Sequence, residues 1–197
     1  MTTQTIIFTP AARQAQADFR AALEALARPG TATQVSGTPA FPVSGAEHAY
    51  SLLLALADQE VTIGVLGGGE TVARFASLGT GSRIAPWERA GYVLCLDDPG
   101  AALRELQRGD IETPELGATA IIFVEALGIA GGLMLTLSGP GIAGFARVSV
   151  SGLSRATIAA RNEACAVYPQ GIDLFLIDSA GACIGMPRTT TVTLEAD

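Results

Sequence analysis

Between Val61 and Val124 the chain switches hydrophobic period repeatedly, and this alternation restricts its folds more than any other feature. "VTIGVL" (Val61–Leu66) reads as a strand, "GGG" as a turn and "ETVARFASL" as a helix. "AGYVLCL" (Ala90–Leu96) is a second strand, "PGAALRELQR" (Pro99–Arg108) a second helix and "ATAIIFV" (Ala118–Val124) a third strand. Strand–helix–strand–helix–strand predicts crossover units and a largely parallel sheet. Upstream, Thr9-Pro10 pairs a hydroxyl N-cap with a proline at the first helical position. Ala15, Phe19, Ala22, Leu23 and Leu26 then recur at helical spacing until Pro29-Gly30 stops them. "SGAE" (Ser44–Glu47) predicts a capping box opening a deeply buried helix through "AYSLLLALAD". Downstream, "GLMLTLS" is expected to continue the sheet and "ARVSVS" to add an edge strand. "SRATIAARNEACA" (Ser154–Ala166) predicts a helix, and "IDLFLID…ACIGM" a hairpin. No repeat or linker interrupts the pattern, so one α/β domain over residues 8–193 is expected.

Several chemistries are removed by what is missing. All twelve cationic side chains are arginines. Without lysine the chain cannot hold pyridoxal phosphate covalently, nor build a P-loop. His48 is the single histidine, so a site of two or three histidines cannot form within one chain. It lies in an apolar helix, where a satisfied or solvent-facing ring is expected rather than a catalytic one. Cys95, Cys165 and Cys183 are odd in number and far apart in apolar surroundings. They read as buried thiols of a reducing cytoplasm, not as a disulfide framework or a metal cluster. A net charge of −7 argues against nucleic acid and anionic membranes as partners. "TAIIFVEALGIAGGLMLTL" (Thr119–Leu137) has the length of a membrane span, but Glu125 and its glycines fit two sheet strands around a turn better. No cationic, apolar leader pattern opens the sequence, so a cytoplasmic location is expected. The apolar fraction of 49% fits strands buried on both faces, or a large partner interface.

Candidate sites remain where arginine, glycine and hydroxyls cluster. "GPGIAG" (Gly139–Gly144) has dinucleotide-loop spacing, but "FARVSVS" follows it as a strand where a helix is needed. A tight turn is the expected use. In "GGGET" (Gly67–Thr71), Glu70 would repel an anion at the helix mouth. "GTGSR" (Gly79–Arg83) offers Thr80, Ser82 and Arg83 as an anion nest, or a plain loop. "ARPG" and "MPRTT" set Arg28, beside Gly30, and Arg188, before Thr189 and Thr190, on rigid backbone. Such an arginine suits bidentate recognition of phosphate or carboxylate, or an interface ion pair. Asp173 could answer either Arg28 or Arg188 as counter-charge. The "PRTTT" ending is thus either a polar edge strand or an anion-facing segment.

Five stretches in register carry a resemblance. "FRAALEALARPG" (Phe19–Gly30), "LLLALAD" (Leu52–Asp58), "LSGPGI" (Leu137–Ile142), "YPQGIDLFLI" (Tyr168–Ile177) and "GMPRTTTV" (Gly185–Val192) together resemble the PhnH family, the H subunit of bacterial carbon–phosphorus lyase. Tyr168 stands where phenylalanine is usual and Met186 where leucine is usual; both keep apolar bulk. The resemblance implies a three-layer α/β/α sandwich with a mostly parallel mixed sheet, like the pyridoxal-phosphate-dependent transferases without their cofactor site. It implies a homodimer when isolated, and a core complex with the G, I and J subunits. With the G, I and L subunits it implies transfer of ribose triphosphate from ATP to an alkylphosphonate, the alpha-D-ribose 1-methylphosphonate 5-triphosphate synthase reaction, with no activity alone. It assigns no catalytic residue and no metal. The alternative is an autonomous small enzyme binding a nucleotide or sugar phosphate through an arginine and hydroxyl loop.

Overall fold

The alternating middle of the chain forms the parallel centre of a seven-stranded sheet, in a computed structural model that describes residues 9–38, 40–128 and 131–195. Helix α1 (Pro10–Ala27) starts as expected, the Thr9 hydroxyl accepting from the Ala12 amide at 3.2 Å. Next come β1 (Thr33–Gln34), α2 (Glu47–Leu56), β2 (Thr62–Leu66), α3 (Gly69–Thr80), β3 (Arg83–Ile84), β4 (Tyr92–Cys95) and β5 (Thr119–Phe123). Then follow β6 (Ala126–Leu127), β7 (Leu133–Ser138), β8 (Ala146–Ser151), α4 (Arg155–Ala164), β9 (Asp173–Ile177), β10 (Ala182–Met186) and β11 (Thr191–Leu194).

The large sheet has the order β1-β10-β9-β5-β4-β2-β3. Its run from β9 to β3 is parallel, and the expected hairpin β9–β10 adds an antiparallel margin closed by β1. Successive strand residues point to opposite faces. Accordingly Leu94, Ile121 and Phe175 enter one core with Leu52 and Leu53 of α2 and Ala22 and Ala25 of α1. Val93, Ile122, Leu174 and Leu176 enter a second core on the other face.

That second core corrects the expected helical third layer. It holds α4, but also a separate four-stranded antiparallel sheet of order β11-β7-β8-β6. "GLMLTLS" therefore does not continue the large sheet, and "ARVSVS" is an inner strand between β7 and β6. In β7, Leu135 and Leu137 are buried while Met134 is exposed, the pattern of a sheet with one dry face. β5 and β7 lie in different sheets and do not pair across the Gly-rich turn, of which residues 129 and 130 lie outside the described residues. No described helix is long and apolar enough to cross a membrane.

Two further expectations change. The helix expected over Pro99–Arg108 is a 3₁₀ stretch, Gly100–Glu105. Leu103 within it and Leu106 just after it are buried and three apart, and a three-residue turn stacks that spacing on one side. The "SGAE" capping box is not made: α2 begins at Glu47, its cap is Ala46, and no side chain closes it. Ser44 and Gly45 turn the chain just ahead of it, with Ala46 fully buried, so the Ser44 hydroxyl is two residues too early. Glu47 still complements the helix dipole from the first turn. "GPGIAG" is the expected tight turn, between β7 and β8. Gly141, with φ of +82°, lies so close to the Ala27 carbonyl that a Cβ would collide with it.

Asp98 joins the 3₁₀ stretch to the start of α4. It accepts from the Ser154 amide at 3.2 Å and from the Thr157 hydroxyl, which in turn accepts from the Gly100 amide at 2.9 Å. Burial pushes the Asp98 carboxyl up, but hydrogen bonds from Ser154, Thr157 and Gly100 outweigh it and leave it below the usual range. A depressed carboxyl stabilises the fold above its unfolded value, about 4, and that contribution is lost as pH falls through the lower folded value. Thermal melts between neutral pH and pH ~3 should therefore fall more steeply for the wild type than for Asp98→Asn. Parallel curves would disprove this linkage.

Candidate functional site

Met186 ends β10 in the large sheet and Thr191 begins β11 in the small one, so Pro187–Thr190 carries the chain from one sheet to the other. It does so in a tight turn, the Thr190 amide donating to the Pro187 carbonyl at 2.9 Å. Side chains from two other elements hold it. From β9, Asp173 accepts the Arg188 amide at 2.7 Å, Nη2 at 2.6 Å and Nε at 3.3 Å. The remaining Arg188 Nη1 donates to the Pro114 carbonyl. These bonds to Asp173 raise the Arg188 pKa. Asp173 is thus the counter-charge of Arg188. Arg28 pairs instead with Glu24 at 2.9 Å on the surface of α1.

From α4, Arg161 donates to the Thr190 carbonyl at 2.7 Å, the Pro187 carbonyl at 2.6 Å and Asn162 Oδ1 at 3.2 Å. Asn162 donates to the Val192 carbonyl at 2.8 Å. Arg161 is only 2% exposed, and burial lowers its pKa. Its Nε and the Thr190 hydroxyl are both enclosed without a hydrogen-bond partner among the described residues. A cleft of about 310 Å³ opens here, lined by Arg161, Asn162, Tyr168, Arg188, Thr189 and Thr191.

Of the sequence candidates, the fold brings together Asp173, Arg188, Thr189 and Thr190. The others lie elsewhere. Gly30 packs against Ala146 and Leu137, beneath the small sheet. Thr80 and Ser82 stand at the C-terminal end of α3, where the helix dipole is negative. Their hydroxyls are used internally, Thr80 donating to the Ala76 carbonyl at 2.9 Å and Ser82 to the Asp58 carbonyl at 2.6 Å. Arg83 is exposed on β3, at the far edge of the large sheet.

Arg161 and Asn162 escaped the sequence reading. The signal was present: Thr157, Ile158, Ala160, Arg161 and Ala164 are the buried positions of α4, so helical spacing sets an arginine within the apolar face.

No nucleophile stands beside a base in the cleft. Cys95 and Cys183 are buried thiols, pushed up to about 12 by burial, so neither is a thiolate near neutrality. Cys165 borders the cleft and donates to the Ile172 carbonyl at 3.5 Å. His48 is only partly satisfied. It is half-buried on α2 with Nδ1 enclosed and unpartnered, because Gly37 and Gly181 let the backbone close over its ring. No group of three His, Cys, Asp or Glu able to hold a metal occurs among the described residues.

The family model for the bacterial phosphonate metabolism protein PhnH matches residues 7–193. The chain belongs to the PhnH family. The matched span includes every residue of the cleft and both sheets except Leu194, the last residue of β11. Among curated relatives, the chain is 29% identical over 194 residues to the alpha-D-ribose 1-methylphosphonate 5-triphosphate synthase subunit PhnH of Rhizobium meliloti (strain 1021), covering 92% of each protein. It is 36% identical over 116 residues to the putative C-P lyase subunit protein HtxG of Stutzerimonas stutzeri. That second match covers 58% of this chain and 57% of HtxG.

Proposed function

We propose that this PhnH-family protein is a subunit of a carbon–phosphorus lyase assembly in organic phosphonate catabolism. It acts with the G, I and L subunits in transferring ribose triphosphate from ATP to an alkylphosphonate, and joins the G, I and J subunits in a core complex. The observation that carries this reading is the family match across residues 7–193, together with a relative aligned over 92% of both chains that is named for that synthase. The isolated protein is a homodimer of the cytoplasm and inactive alone. Exposed Ile111, Phe145, Val167 and Tyr168 supply apolar surface for association. Its fold is that of the pyridoxal-phosphate-dependent transferases put to a use without the cofactor, consistent with the lack of any lysine to hold it.

The test is genetic and biochemical. A strain lacking this protein should fail to grow with methylphosphonate as sole phosphorus source, and a plasmid copy should restore growth. The purified protein alone should not consume ATP with methylphosphonate. Growth of the deletion strain would overturn the role in phosphonate catabolism. Turnover by the isolated chain would instead favour an autonomous enzyme.

A further inference from the structure

Arg161 is a buried cation whose counter-charge is missing. Removing a guanidinium from water is costly unless an anion compensates it. All three acceptors that Arg161 reaches are neutral: the Thr190 and Pro187 carbonyls and the Asn162 amide oxygen. It forms no ion pair among the described residues. Asp173, the carboxylate whose field reaches it, is engaged by Arg188 through two guanidinium nitrogens. The cleft therefore keeps one uncompensated positive charge. Beside that charge are two buried polar atoms without partners, Arg161 Nε and Thr190 Oγ1. Across the mouth lie Thr189 and Thr191, both exposed.

We infer that this cleft binds a tetrahedral phosphorus oxyanion, a phosphate or phosphonate group, through the field of Arg161 and the hydroxyls of Thr189–Thr191. Three successive hydroxyls around one buried charge offer donors in several directions, which suits an anion with three acceptor oxygens better than a flat carboxylate. The volume of about 310 Å³ leaves space for an organic group attached to the phosphorus. Arg188 stays on Asp173 and frames the wall. The buried charge and the cleft beside it lie within one chain, so the site is testable on the full chain by itself.

Phosphorus NMR and calorimetry with inorganic phosphate, methylphosphonate and acetate decide the matter. Saturable binding of phosphate or methylphosphonate, one per chain, is expected, weakening with added salt and absent with acetate. Comparing the two phosphorus ligands distinguishes a phosphate source from a phosphonate source. Arg161→Met, which keeps length and apolar bulk, should weaken binding by about tenfold or more. If that variant fails to fold, the exposed pair Thr189→Val and Thr191→Val takes its place, with a loss of several-fold expected. Absence of saturable binding at millimolar ligand would overturn the site. So would equal binding of acetate, or unchanged affinity in the threonine double variant. Loss of self-association in Arg161→Met, without any phosphorus ligand bound by the wild type, would assign the missing charge to a carboxylate of a second copy and also overturn it.

Discussion

Gly185→Val is expected to lose about 3 kcal/mol or more of folding stability. Gly185 lies in β10 opposite Phe175, and α1 crosses directly above it. A Cβ built there would sit 2.6 Å from the carbonyl carbon and oxygen of Ala25 and 2.7 Å from the Leu26 nitrogen. Carbon atoms in contact prefer about 3.5–4.0 Å. The obstructing atoms are helix backbone, which cannot rotate aside as a side chain would. Helix α1 would have to lift from the sheet, parting Ala22 and Ala25 from a core they share with Phe175 and Cys183. Gly185 is not a left-handed residue, so the requirement is for space rather than conformation. Overpacking of a well-filled core costs about 1–3 kcal/mol, and a branched side chain against fixed backbone belongs at or above that upper end. Set against a total stability of about 5–15 kcal/mol, this is a large share. Urea unfolding should rank wild type, Gly185→Ala and Gly185→Val in falling midpoint. A wild-type midpoint for the valine variant would show that α1 is not seated on β10.

The second large effect is at Asp173. Its partner pair with Arg188 is mostly dry, the two side chains being 15% and 21% exposed on the arginine and aspartate sides respectively. Asp173→Ala would strand both the guanidinium and the Arg188 amide, and should cost about 2–4 kcal/mol. The Arg28–Glu24 pair is an internal control. There the side chains are 67% and 46% exposed, so Arg28→Ala should change stability by less than about 1 kcal/mol. Adding Arg188→Met to Asp173→Ala removes the orphaned charge and should recover part of the loss, a coupling that a double-mutant cycle measures directly. Equal effects of Asp173→Ala and Arg28→Ala in chemical unfolding would refute this assignment.

What the sequence made legible was set by how local each signal is. The parallel centre was readable because strand and helix periods alternate within one continuous stretch. The β9–β10 hairpin was readable because two apolar runs flank a Gly turn. The small sheet was not, because alternation in β7 and β8 says which face is dry but not which sheet the strands join. The Ser44–Glu47 motif has the right spacing for a capping box, yet burial of Ala46 decides where α2 starts. Arg188 and the threonines stood out by composition, and Asp173 was named as one of two possible partners. Arg161 was hidden inside an alanine-rich helix, since its importance comes from acceptors 26 and 29 residues away in the chain.

The route of the chain through Pro187–Thr190 also bears on how the protein is made. Strand β9 fills an interior place beside β5, and β11 completes the small sheet against β7. Both belong to the last described stretch to leave the ribosome. Until it emerges, neither sheet can close, and partly made chains expose the edges of β5 and β7 together. Completion of both sheets therefore waits on β9 and β11, and the nascent chain must keep the open edges of β5 and β7 from aggregating until they emerge.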